Sequence, residues 1–81
     1  MDPEQQRFRD AVSDELRAAR ARQRLSQGEV SDRSGESPST IYRIESGKRA
    51  ADVDQLFAIC KVLGVRPGDV LNAAQDRNQE E

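Results

Sequence analysis

The sequence predicts an all-α protein, a compact bundle of five helices, on three observations. Apolar residues recur at spacings of three and four, the period of a helix with one buried face. Capping residues and glycines punctuate that pattern and mark where helices start and stop. Between Ser26 and Arg49 the stretch SQGEVSDRSGESPSTIYRIESGKR reads as two short helices joined by a tight glycine turn.

The first helix starts at Asp2-Pro3-Glu4-Gln5, which supplies a cap, a proline suited to the first turn and an acid facing the positive end of the dipole. The pattern carries it to about Arg24, with Phe8, Val12, Leu16, Ala19 and Arg20 as the inward stripe. Phe8 and Val12 are placed to pack on the C-terminal helix or on a second subunit; a frayed, solvated start is the alternative. Arg17, Arg22 and Arg24 point elsewhere. Arg24, beside the start of the next helix, is the best placed of them for an accessory phosphate contact.

Ser26 and Glu29 form a capping box, the hydroxyl accepting an N–H of the first turn while the carboxylate reaches back. This second helix runs to about Arg33 around Val30, and Ser34-Gly35 ends it, glycine taking a positive φ at little steric cost. Ser37 caps a third helix, and Pro38 takes its first position, where a missing N–H does no harm. It continues to Glu45 and stops at Ser46-Gly47. At about 100° per residue, Ile41, Ile44 and Glu45 share one face, and Ser39 and Arg43 lie opposite. Ser46 sits beside them, with Thr40 and Tyr42 on the flanks. Helix, glycine turn and helix is the arrangement that places a second helix in a DNA groove, and this outward face suits the major groove. Periodicity alone leaves an ordinary amphipathic surface helix equally open.

After Ala50-Ala51, Asp52 caps a fourth helix that reaches about Leu63 and ends at Gly64. Val53, Leu56, Phe57, Cys60 and Leu63 are its expected inward face; Ile59 and Val62 fall outside it, where exposed apolar groups would mark a partner surface. Cys60, in the middle of that face, reads as a buried small hydrophobe and not as a reactive thiol. Val65 enters the core, and Pro67-Gly68-Asp69 starts a fifth helix carrying Val70, Leu71 and Ala74. The polar tail from Asp76 to Glu81 is expected to fray.

Length and composition narrow the function. Eighty-one residues make one small domain that buries roughly 60% of the surface its unfolded chain exposes. With a single cysteine and no histidine, a disulfide framework, a zinc site and Cys/His catalysis are excluded. No nucleophile-and-base constellation is present, so the expectation is a protein that is not an enzyme and has no cofactor, metal or small-molecule ligand. No apolar run approaches membrane-spanning length, and MDPEQQRFRD lacks a signal peptide's apolar region, which predicts a cytoplasmic protein without a membrane partner. The net charge of −2 hides a division. Residues 1–15 carry two basic residues against five acids, residues 16–49 eight against four, and residues 50–81 three against six. Positive charge is concentrated where the two short helices lie, and local charge is what draws in phosphate.

The ordered set LRAARARQRLSQGEV, the turn around Gly35, STIYRIESGKR and VDQLFAICKVLGV with a following short helix resembles the phage repressor and Cro-like (XRE-type) helix-turn-helix family. The resemblance runs from Leu16 to about Leu71. It implies a lambda-repressor-like DNA-binding domain over residues 16–74, an N-terminal extension of the first helix over residues 1–15, and a polar tail over residues 75–81. One position departs: Glu36 stands where the family commonly has a small apolar residue.

The function this implies is sequence-specific binding of double-stranded DNA as a transcriptional repressor, acting as a homodimer on a near-palindromic operator. Ser39 and Arg43 would read base edges with Tyr42 and Thr40 as auxiliaries, and Gln27, Thr40, Lys48 and Arg49 would hold phosphates. Arg20, at the edge of the first helix's apolar stripe, and Glu45, on the face of Ile41, are both directed inward and should meet. Similar repressors pair an arginine and a glutamate at the matching positions, tying the first helix to the recognition helix; two separately solvated side chains are the alternative. A protein-interaction adaptor or antitoxin-like module on the same fold is the rival reading, favoured by the acidic flanks and Glu36.

Overall fold

Each of the first four helices begins where a side chain satisfies its first free N–H groups. The computed structural model describes residues 2–79 and places α1 (Pro3–Arg22), α2 (Gln27–Ser34), α3 (Pro38–Glu45), α4 (Val53–Leu63) and α5 (Pro67–Gln79) in chain order. Asp2 accepts from the Glu4 N–H at 2.8 Å, and Ser37 from the Thr40 N–H at 3.1 Å. Two reciprocal boxes start the others: Ser26 with Glu29, both bonds 3.0 Å, and Asp52 with Gln55, at 2.8 and 3.1 Å. These local bonds are worth about 1 kcal/mol each and set where the chain turns into helix.

The core is assembled from Leu16, Val30, Ile41, Ile44, Cys60 and Leu63, all essentially inaccessible, with Val70 and Ala74 of α5 beside them. Helix α1 packs along α5 and crosses α3, while α2 lies between α3 and α4. The Cα radius of gyration is 11.8 Å, against about 12 Å for a folded chain of this length. Among the described residues no helix is long and apolar enough to cross a membrane.

Four sequence expectations are corrected. Helix α1 stops at Arg22, short of Arg24, because the Arg24 and Leu25 N–H groups fold back to Ala21 and Arg20 carbonyls at 3.0 and 3.2 Å. Arg24 thereby takes a left-handed φ of 58°, which turns Leu25 onto the core. The stripe of α1 is also displaced: Leu16 and Ala19 are buried, yet Ala11 and Ser13 are too, while Phe8 and Val12 are only half-buried.

Helix α4 is rotated from its expected setting. Leu56, Ile59, Cys60 and Leu63 are buried, whereas Val53 and Phe57 are 83% and 59% exposed, and Val62 packs at the margin of the core. Apolar residues occur on nearly every side of this helix, so packing on α1, α2 and α5 chose the buried arc. Finally, α5 continues through Asp76 to Gln79 where fraying was expected. Arg77 donates to Asp14 at 3.1 Å and to Glu15 at 2.6 Å, fastening the end of α5 to α1. The last tail residues, Glu80 and Glu81, lie outside the described residues.

Candidate nucleic-acid interface

Helix α3 owes its orientation to three buried residues. Ile41, Ile44 and Glu45 are 1%, 2% and 3% exposed, which directs Ser39, Tyr42, Arg43 and Ser46 to solvent. The turn before it is closed by short-range bonds. Gly35 takes φ 81°, its N–H returns to the Ser31 carbonyl at 3.1 Å, and the buried Ser31 hydroxyl donates to the Glu36 carbonyl at 2.6 Å. A β-carbon would strain the backbone at Gly35, so the chain uses glycine there.

Glu36 is fixed at the turn by a hydrogen bond. Its half-buried carboxylate accepts from Gln55 Nε2 at 3.1 Å, linking the turn to the cap of α4. The carboxylate can only accept, so it presents the Gln55 amide nitrogen to itself and the oxygen Oε1 to the far side. That oxygen takes the Asp52 N–H at 3.1 Å and Arg49 Nη2 at 3.4 Å. Gln55 was not singled out in the sequence; its capping-box spacing after Asp52 was the available signal.

Glu45 is the inward anchor. Both carboxylate oxygens accept from Arg20 Nε, at 3.0 and 2.9 Å, and Arg20 Nη1 donates onward to the Leu25 carbonyl at 2.9 Å. Gln27 Nε2 adds a third bond to the same carboxylate at 3.2 Å. Gln27 therefore braces the first turn of α2 against α3, and its amide nitrogen keeps one N–H for another acceptor.

The remaining residues of interest lie at the two ends of α3. Thr40 is half-buried, its hydroxyl accepting from Ser37 Oγ at 2.9 Å. Beyond the other end, the Lys48 and Arg49 N–H groups both return to the Arg43 carbonyl, at 3.0 and 3.2 Å. Lys48 Nζ sits 5.3 Å from the centroid of the half-exposed Tyr42 ring, within cation–π range.

Charge is distributed to leave this face positive. Among the described residues the ion pairs are Arg17–Asp14, Arg20–Glu45, Arg33–Glu29, Arg77–Asp14 and Arg77–Glu15, none of which involves Arg43, Lys48 or Arg49. Glu29, at the surface, has its carboxyl held below the usual range, first by the Ser26 backbone N–H and then by the Ser26 hydroxyl. Arg24 is exposed at the end of α1. No group of acids and cysteine able to hold a metal ion occurs among the described residues.

An all-α scaffold that presents a short helix outward behind a glycine turn defines the helix-turn-helix class of DNA-binding transcription regulators. A helix-turn-helix family model (HTH_3) matches residues 16–70, and the chain belongs to this XRE-type family. Its fold is similar to that of the clp gene regulator ClgR from Corynebacterium glutamicum, at 28% identity in each of two crystal structures. One superposes with a TM-score of 0.83 over 89% of this chain and 77% of that one. The other gives 0.79 over 86% and 91%. No curated protein matches the chain in sequence.

Proposed function

We propose that this protein is a sequence-specific repressor that binds double-stranded DNA as a homodimer at a near-palindromic operator. The observation that carries the reading is the outward face of α3: Ser39 and Arg43 exposed, Arg43 without an acid partner among the described residues, behind a fully buried Ile41, Ile44 and Glu45. Ser39 and Arg43 read base edges, with Tyr42 beside them, and a guanidinium there recognises guanine by two parallel hydrogen bonds. Lys48 and Arg49 hold phosphates beyond one end of the helix, with Thr40 and the free N–H of Gln27 at the other. Likeness to ClgR, described as a clp gene regulator, supports a regulatory role.

One domain of this size contacts too little duplex for tight specific binding, so two copies act together. The apolar residues Phe8 and Val12 of α1 and Leu71 of α5, which line one groove with Ala50, Ala51 and Leu56, are the surface for the second copy. The rival reading, a protein-interaction adaptor, is favoured by the exposed Phe57 and Val53 on α4. Titration with random-sequence duplex at falling salt separates the two. A DNA reader tightens steeply as salt falls, because each phosphate contact releases counterions; an adaptor shows little binding at any salt. Selection from a random DNA pool then returns a near-palindrome if two copies bind together, and a single unrepeated site if they do not.

A further inference from the structure

The end of α3 is held in a way that the recognition face alone does not require. A helix leaves its last carbonyls without partners inside the helix. Here each finds one. The Tyr42 carbonyl accepts from the Ser46 N–H at 3.0 Å, and the Arg43 carbonyl from the Lys48 and Arg49 N–H groups. The Ile44 carbonyl accepts from the Gly47 N–H at 3.3 Å, and three carbonyls are reached from α1: Ile44 by the Ser13 hydroxyl at 2.6 Å, Glu45 by Arg17 Nη1, and Gly47 by Gln6 Nε2 at 3.4 Å. Gln6, Asp10, Ser13 and Arg17 are spaced four, three and four apart, so they form one polar stripe along α1.

The approach is close. Gly47 is buried with φ 77°, and a β-carbon there would lie 2.5 Å from Asp10 Oδ1, an oxygen that Gln6 Nε2 also contacts at 2.9 Å. Ser13 is 3% exposed, a buried hydroxyl in a helix whose other buried residues are apolar. Such a group is costly to bury unbonded; the Arg9 carbonyl of its own helix lies 3.1 Å away, and the shorter contact, 2.6 Å, is to Ile44 of α3.

We propose that the polar stripe of α1, three of whose four members precede the family-matched segment, is a positioning element for the C-terminal end of the recognition helix and the turn after it, beside the Arg20–Glu45 pair. The proposal rests on the reading of α3 as the DNA-contacting helix. Helix α3 has only eight residues; its buried face and the Arg20–Glu45 pair orient it, and the contacts at its C-terminal end hold the turn that follows. The turn gripped by Gln6, Asp10 and Ser13 is also the turn in which the Arg43 carbonyl receives Lys48 and Arg49. The base-reading arginine and the two phosphate-holding residues are thereby kept in one register. Ser13 and Gln6 touch no DNA in this scheme; they act through the backbone of residues 44–47.

Ser13→Ala and Gln6→Ala test this, with Arg77→Ala as the comparison: it removes bonds to Asp14, itself paired with Arg17, and to Glu15, and leaves the stripe's own bonds to residues 44–47 in place. Gln6→Ala serves on its own if Ser13→Ala does not fold. Hydrogen exchange on the free protein should show the Lys48 and Arg49 amides opening about tenfold faster in Ser13→Ala. Binding to single-base variants of the preferred site should then show weakened discrimination at the base pair read by Arg43, with the salt slope kept. Arg77→Ala should do neither. The proposal is overturned if Ser13→Ala and Gln6→Ala match Arg77→Ala in both measurements, or if exchange quickens while base preference stays the same. Should the wild type bind no duplex at any salt, the DNA reading fails and the proposal with it. The exchange arm, made without DNA, identifies that failure as distinct from a failure of the grip itself.

Discussion

Arg20 and Glu45 tie α1 to α3: Arg20 Nε lies 3.0 and 2.9 Å from the two carboxylate oxygens, and the Glu45 side chain is 4% exposed against 22% for Arg20. With Gln27 on the same carboxylate, three helices converge on one buried acid. Two desolvated charges add little net stability as a pair, but they define one orientation, since any other leaves an acid unpaired inside the fold.

Removing either partner should therefore be expensive. Glu45→Ala and Arg20→Ala should each lose about 3 kcal/mol, the lower end for a buried pair because Arg20 keeps some solvent. Urea melts measure this. Losses below about 0.5 kcal/mol in both variants are those of a solvated pair and would remove the orienting role.

Lys48 and Arg49 should behave as phosphate holders. Each alanine variant should weaken all DNA sequences about equally and lower the salt slope by roughly one unit. Gln27→Ala changes no charge, so its slope should stay; it also removes a bond to Glu45 and should cost about 1 kcal/mol of stability. A changed base preference in Lys48→Ala or Arg49→Ala would show that those side chains reach bases.

Arg43 should carry the specificity. Arg43→Ala should cost about 1–3 kcal/mol on the best site and relax preference at one base pair per half-site. Arg43→Lys restores the charge without the planar fork and should recover affinity more than discrimination. Measured over all single-base variants of the site, a uniform loss with unchanged preferences would falsify the readout role.

Cys60 should be chemically silent. It is fully inaccessible, and burial pushes its thiol up to about 11 from an ordinary 9.0. The folded state thus holds the proton more tightly, so this group's contribution to stability is present below pH 9.0 and lost as pH rises towards 11. An alkylating reagent at neutral pH should label the native protein only at its rate of opening, and addition of urea should make labelling immediate. Fast labelling without denaturant would place Cys60 at the surface.

What the sequence by itself determined is the set of local decisions. Asp2, Ser26 with Glu29, Ser37 with Pro38, and Asp52 each act on N–H groups within three residues, and Gly35 ends a helix through its own φ. Those effects need no distant partner, so helix number and order, the glycine turn and the outward face of α3 could all be read in advance. The inward direction of Arg20 and Glu45 was legible for a related reason: helical geometry sorts side chains around an axis before any packing exists.

The tertiary structure decided what depends on residues far apart in the chain. Which arc of α4 is buried followed from its neighbours, and it exchanged Val53 and Phe57 for Ile59. Ser13 has no local signature of its bond to the end of α3, 31 positions away in sequence. Glu36 and Gln55, 19 apart, have no local signature of their bond. A hydrogen bond's worth depends on whether its donor and acceptor are buried together, and burial is a property of the assembled helices.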